Sequence, residues 1–181
     1  VRGGKHVTLP GAVTLAPGDL SMPETLVAAV AGVSAVVHLA AVLRSPDADA
    51  IRRTNIDGTR NLVDVLTEHA PQARVVLAST SLVYPDDLPR PARESDAVAP
   101  AAPYPASKVS AERELLASRL TAAVLRFGYV YGDGDPHLRN APRLFAAWGW
   151  HPARALHLIH HRDIANATLL ALTGALDGKI A

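Results

Sequence analysis

The sequence predicts a doubly wound α/β fold built on a parallel sheet, and three observations carry the prediction. Short apolar runs alternate with longer stretches of helical periodicity, which is the order a parallel sheet with crossover helices requires. The runs are nearly continuous rather than alternating, as in strands covered on both faces. Polar residues, glycines and hydroxyls gather just after the runs, where open α/β sheets place their ligands.

Residues 1 to 12 are irregular, broken by Gly3, Gly4, Pro10 and Gly11. Val13 to Leu15 is a short strand candidate leading into Pro17-Gly18-Asp19-Leu20. A helix follows over 21 to 33, with Ser21 as cap, Pro23 and Glu24 in its first turn and an end near Gly32. Ser34 to Ala40 reads as a strand buried on both faces. Residues 48 to 69 read as one long helix with Ile51, Ile56, Leu62, Val63, Val65 and Leu66 on or near one stripe. Gly58 in its middle costs about 1 kcal/mol relative to Ala, so something should pack closely there. Arg74 to Ala78 is the next strand and runs into Ser79-Thr80-Ser81. After a proline-rich loop, a helix over 104 to 120 offers Val109, Leu115, Leu116 and Leu120 to the core. A strand at 121 to 127, a loop through Gly128, Gly132 and Gly134, a helix at 138 to 149, a short strand at 156 to 160 and a helix at 162 to 176 complete the chain.

With 181 residues, 49% of them apolar, the chain has material for one sizeable core, and a single domain over 1–181 is expected. Eighteen Lys and Arg stand against 17 Asp and Glu, so no net field recommends nucleic acid or an anionic membrane as a partner. No apolar run has the length of a membrane span. Cysteine is absent, which removes thiolate catalysis, disulfides and cysteine metal sites and is compatible with a cytoplasmic setting. The eight His lack metal spacing, and the adjacent His160 and His161 are not expected to face one site, so no metal centre is anticipated.

The chemistry centres on Tyr104-Pro105-Ala106-Ser107-Lys108. Residues at i and i+4 share a helix face, so the phenol and the ammonium can address one site. A free phenol titrates near ~10. A positive charge about 4 Å away at an effective dielectric of ~20 favours the phenolate by at most about 4 kcal/mol, enough to bring a tyrosine towards acid/base work. The same spacing occurs in ordinary surface helices, and the case rests on the surrounding motifs.

Those motifs, in order, resemble the extended short-chain dehydrogenase/reductase family, which includes NAD-dependent epimerases and dehydratases. Gly18-Asp19-Leu20 is similar to the segment whose acid meets the cofactor adenine. Val36-Val37-His38-Leu39-Ala40-Ala41 is similar to the strand and turn along the cofactor ribose and pyrophosphate. Asn55-Ile56-Asp57-Gly58-Thr59 resembles the family's Asn-x-x-Gly-Thr, and Ser79-Thr80-Ser81-Leu82-Val83-Tyr84 its Ser-Ser-x-x-Val-Tyr. Tyr104 and Lys108 fall on the Tyr-x-x-x-Lys pair. Leu125-Arg126-Phe127-Gly128-Tyr129-Val130-Tyr131-Gly132 resembles the following strand and loop, and His160-His161-Arg162-Asp163-Ile164-Ala165 a segment bordering the substrate.

The resemblance implies a Rossmann-like fold and an NAD(P)-dependent oxidoreductase, epimerase or dehydratase. Such an enzyme transfers hydride at a hydroxyl or carbonyl carbon of a small molecule, for which a sugar derivative is one option. It makes Thr80, Tyr104 and Lys108 the catalytic set. Asp19, Leu20, Leu39, Ala40, Ala41, Asn55, Ser79, Tyr104, Lys108 and Phe127 become the residues that meet NAD or NADP, and 133–181 part of the substrate region. Asn55 is expected to order the site from behind. A homodimer through the helices at 48 to 69 and 104 to 120 is a further implication.

Departures accompany the match. The sequence contains no Gly-x-Gly-x-x-Gly or Gly-x-x-Gly-x-x-Gly, so the phosphate-binding turn of a first strand is missing and the fold is expected to be N-terminally incomplete. Val1-Arg2-Gly3 resembles the end of the family's second strand, where Arg2 would favour NADP. Tyr129 stands where many nucleotide-sugar enzymes carry Asn, against a nucleotide-sugar substrate. The alternative is a non-catalytic cofactor-sensing or interaction protein that lost the phosphate turn. Trp148 and Trp150 are expected to cover the core rather than line a pocket.

Overall fold

In a computed structural model, residues 13–133, 135, 157–176, 178 and 180–181 are described. Val1-Arg2-Gly3, the helix expected at 138 to 149, Trp148 and Trp150 lie outside them.

Three parallel strands form the main sheet in the order β1 (Ala35–His38), β2 (Arg74–Thr80), β3 (Thr121–Phe127). Ala35 to His38 pair with Arg74 to Leu77, and the whole of β2 pairs with β3, placing Ser79 opposite Arg126 and Thr80 opposite Phe127. Gly178, Ile180 and Ala181 flank the far edge of β3, with Ala181 N–H donating to the Val124 carbonyl at 2.8 Å.

Each crossover between neighbouring strands is a helix. The β1 to β2 crossover starts as α2 (Ala48–Arg52), capped by Asp47, whose carboxylate accepts from the N–H groups of Asp49 and Ala50. It passes through a π turn at Arg53–Asp57 and continues as α3 (Gly58–His69). The single helix expected over 48 to 69 is thus present with one extra residue accommodated in its ladder, a device that re-aims side chains. The β2 to β3 crossover contains α4 (Pro103–Leu116), opened by Pro103 at its first position.

Both sheet faces are covered, as a doubly wound fold demands. On one face Val75, Leu77, Ala122 and Val124 pack with Leu62, Leu66, Ala111 and Leu115 from α3 and α4, and with Leu26 and Val30. On the other, Val76, Ala123 and Leu125 meet Ala171 of the last helix, α5 (His161–Leu172).

Several expectations are corrected. Val13 to Leu15 forms no strand and is exposed, because no neighbouring strand offers it a ladder among the described residues. The 21 to 33 helix shrinks to a 3₁₀ turn at Pro23–Thr25 and the single turn α1 (Val27–Val30). Ser21 does not cap it: its N–H and hydroxyl both donate to Asp19 Oδ1, while Thr25 Oγ1 accepts from the Asp19 N–H, and these local bonds compete with the helix. β1 is not buried on both faces, since Val37 remains 36% exposed at the sheet edge. The helix expected over 104 to 120 ends at Leu116, which is 40% exposed, while Leu120 reaches the core from the following turn. Tyr129 to Tyr131, expected as loop, is β4 (Tyr129–Tyr131), paired in parallel with β5 (Leu158–His160).

Gly58 has the close neighbour its position called for. A Cβ there would lie 2.9 Å from Leu20 Cβ, and Asn61 Nδ2 donates to the Leu20 carbonyl at 2.7 Å. Together they dock Asp19-Leu20 onto the start of α3.

Candidate active site

The carboxyl ends of β1, β2 and β3 open onto one edge of the sheet, and α4 starts beside them. Past β1 the chain runs through Leu39, Ala40 and Ala41, all exposed, Leu39 at 64%. This loop is held by Asn55, which the π turn carries. Its Oδ1 accepts from Val42 N–H at 2.7 Å, and Nδ2 donates to the Val42 carbonyl at 3.0 Å and to Ser107 Oγ at 2.9 Å. Ser107 in turn donates to the Tyr104 carbonyl at 2.7 Å. One buried amide therefore ties the loop after β1 to the first turn of the helix bearing Tyr104 and Lys108. With its donors and its carbonyl engaged inside the chain, Asn55 shapes the site through the loop it fixes.

His38, the last residue of β1, is buried, and its Nε2 lies 2.9 Å from Thr59 Oγ1. The Thr59 hydroxyl donates its only proton to the Asn55 carbonyl at 2.7 Å, so the imidazole must donate from Nε2. Burial, helped by the Lys108 charge, lowers the His38 pKa to about 4, and the ring is neutral.

Lys108 is 3% exposed, and burial lowers its pKa to about 8 against the opposing pull of Glu112. Tyr104 is half-buried, and burial raises its pKa. In this structure burial sets the direction for Tyr104, opposite to the easing of phenol ionisation expected from Lys108. Desolvation of the phenolate dominates, and the lysine charge is itself weakened by burial. Thr80, buried at the end of β2, caps the 3₁₀ turn Ser81–Val83 by accepting from Leu82 N–H at 3.3 Å. Ser79 donates to the carboxylate of Glu112. Phe127, half-buried, ends β3 opposite Thr80.

The donor set suits a dinucleotide lying across the strand ends. It offers an exposed backbone turn after β1, a hydroxyl after β2, and a phenol and an ammonium on one helix face, groups fitted to ribose hydroxyls and a carboxamide. Asp19 and Leu20 sit at the periphery of this edge, anchored to α3.

The NAD dependent epimerase/dehydratase family matches residues 2–180. The chain belongs to that family. A short-chain dehydrogenase/reductase superfamily protein from Agrobacterium tumefaciens, 25% identical, was solved with NAD bound. Mouse 3 beta-hydroxysteroid dehydrogenase type 7 is 27% identical over 148 residues, covering 72% of this chain and 40% of the relative. A putative epimerase from Burkholderia cenocepacia superposes with a TM-score of 0.79 at 28% identity, over 99% of this chain and 63% of that one. A dTDP-glucose 4,6-dehydratase from Streptomyces venezuelae, solved with NAD bound, gives 0.77 at 26% identity over 90% and 55%. The chain thus spans well under two thirds of the length of the curated relatives it matches.

Sequence reasoning missed two groups. Glu112 and Arg126 form a buried pair behind the site, and the signal for it was the continuation of the Tyr104, Lys108 spacing by a further four residues. At the ends of β4 and β5, Asp133, His160 and His161 bring ligand-type atoms within 4.8 Å of one another. The adjacency of the two histidines did not keep them apart, because the strand ends and α5 begins between them, with His160 capping the helix by accepting from Arg162 N–H. Asp163 lies inside the first turn of α5. Arg162 already holds Asp133 at 2.8 Å, a positive charge beside the trio that opposes a cation. No helix among the described residues is long and apolar enough to cross a membrane.

Proposed function

We propose that this chain carries the catalytic half of an NAD(P)-dependent oxidoreductase of the epimerase/dehydratase type, acting at a hydroxyl or carbonyl carbon of a small molecule. One observation supports it above the rest: Tyr104 and the buried Lys108 share the first turns of α4 at the carboxyl edge of a parallel sheet, in a chain of this family. The nicotinamide, when bound, supplies the redox half by taking or giving hydride at the substrate carbon. Tyr104 exchanges a proton with the substrate oxygen through its hydroxyl. Thr80 hydrogen-bonds the same oxygen and fixes its direction. Lys108 contributes positive charge beside the phenol and binds ribose hydroxyls, and the backbone after β1 carries the cofactor on the loop that Asn55 pins.

Relatives with sugar-nucleotide, steroid and oxoacid names share this framework, and the substrate here is assigned no further than a small molecule with a secondary alcohol or ketone. Replacing Tyr104 by Phe removes one oxygen and leaves the helix intact. Turnover of NAD(P) with an alcohol or ketone substrate should fall by about 10²-fold or more, while cofactor affinity by fluorescence titration stays within about twofold. Retained turnover would refute the assignment.

A further inference from the structure

The face of α4 that bears Tyr104 and Lys108 continues one turn further to Glu112, which the reaction above does not use. Glu112 is buried at 3% exposure inside the domain. Its carboxylate receives Arg126 through both oxygens, Nε to Oε1 at 3.1 Å and Nη2 to Oε2 at 2.6 Å, and also accepts from Ser79 Oγ. Arg126 extends the chain of contacts, donating from Nη1 to the Tyr84 hydroxyl at 2.8 Å with its guanidinium 5.0 Å from that ring's centre. One carboxylate is thereby fixed by β2, by β3 and, through Tyr84, by the loop after β2.

Burying an ion pair carries a desolvation penalty that an apolar pair of similar volume would avoid, so packing alone gives no reason for charge at this place. The spacing gives one. Glu112 lies four residues from Lys108, and residues at i and i+4 are neighbours on the helix surface. We propose that Glu112 is a positioning residue of the site: held immobile by Arg126 and Ser79, its carboxylate keeps the buried Lys108 ammonium charged and oriented toward Tyr104.

The groups around Lys108 leave this duty to Glu112. On its own helix the titratable neighbours are Tyr104 and Glu112. β1 contributes His38, which is neutral, and β3 contributes Arg126, whose charge is paired with the Glu112 carboxylate itself. Burial brings Lys108 to about 8, and Glu112 is the charge that opposes the fall. The inference rests on the reading of Lys108 as a site residue, yet its test does not need turnover.

The chain has three lysines, Lys5, Lys108 and Lys179, so lysine labelled with ¹³C at Cε gives a spectrum in which each can be followed through a pH titration. In Glu112→Gln the Lys108 midpoint should move down by about one unit or more, with Lys5 and Lys179 unmoved, and Glu112→Asp should restore part of the shift. A folded Glu112→Gln protein with an unmoved Lys108 midpoint overturns the proposal. Should the unpaired Arg126 prevent folding, Glu112→Gln combined with Arg126→Gln removes both charges. Because Arg126→Gln by itself removes the positive charge held 2.6 Å from Glu112, the double variant is read against Arg126→Gln alone: a lower Lys108 midpoint is expected, and an equal one overturns the proposal. Failure of Tyr104→Phe to abolish turnover would strike the catalytic reading and leave this titration intact.

Discussion

Two carboxylate–arginine pairs, one buried and one exposed, share the same chemistry. Glu112 and Arg126 join α4 to β3 with side chains 4% and 6% exposed. Asp133 and Arg162 join the ends of β4 and β5 with side chains 71% and 73% exposed, at a comparable 2.8 Å. Distance therefore says little about worth. In water the two charges of the outer pair are solvated with or without each other, and salt screens what remains. In the interior each charge depends on its partner, because the alternative is an ion without water. The buried pair is accordingly a constraint on the site, and the exposed pair an ornament of its rim.

The comparison is broken most forcefully by removing one buried partner. Arg126→Met keeps the aliphatic volume and leaves Glu112 facing Ser79 alone. The loss expected is about 3–5 kcal/mol of unfolding free energy, measured by urea denaturation. It should shrink when Glu112→Gln is added, since the uncompensated carboxylate disappears with it. A loss below about 1 kcal/mol would place the inner pair in the same class as the outer one.

A second contrast uses acid. His38 is neutral in the fold with a pKa of about 4, against about 6.5 unfolded. Between those values the unfolded chain binds the proton that the folded chain refuses. Stability is therefore fully retained above pH 6.5 and falls as pH drops towards 4, by up to about 3 kcal/mol. Carboxylates titrate in the same range, so the informative quantity is the difference between wild type and His38→Asn. The variant should lose less stability across that window. Parallel profiles would mean that burial does not hold the imidazole neutral.

What the sequence disclosed divides along the same line between local pattern and distant partner. The strands at 35 to 38, 74 to 80 and 121 to 127 were legible because apolar runs and breakers are local, and the Asn55 to Thr59 segment announced a helix with a packing need at Gly58. β4 was not legible. Tyr129 to Tyr131 alternates with nothing in its neighbourhood, and its partner β5 begins at Leu158. Gly128 and Gly132 were the only hints: a Cβ on either would collide, with His157 O and His161 Nδ1 respectively. Glu112 sat in the run Ala111-Glu112-Arg113-Glu114, which reads as a solvated helix face despite its spacing from Lys108, and the register that sets Ser79 beside Arg126 gives that carboxylate its buried partners. The resemblance implied that Asn55 orders the site from behind, but its partners Val42 and Ser107 were not legible, since the π turn that aims it has no signature in composition.

The smallest effect expected is the one that completes the comparison. Arg162→Ala deletes the outer pair and its long side chain from the first turn of α5. Removing a positive charge from a helix N-terminus relieves an unfavourable interaction with the helix dipole, worth about 0.3–1 kcal/mol. Losing the exposed pair with Asp133 costs a similar ~0.2–1 kcal/mol. The two oppose each other, so the net change in unfolding free energy should lie within about 0.5 kcal/mol of zero and should vary little with added salt. A loss of several kcal/mol would mean that the Asp133, His160 and Arg162 cluster is buried against another part of the protein. The contrast between inner constraint and outer rim would then have to be redrawn around that contact.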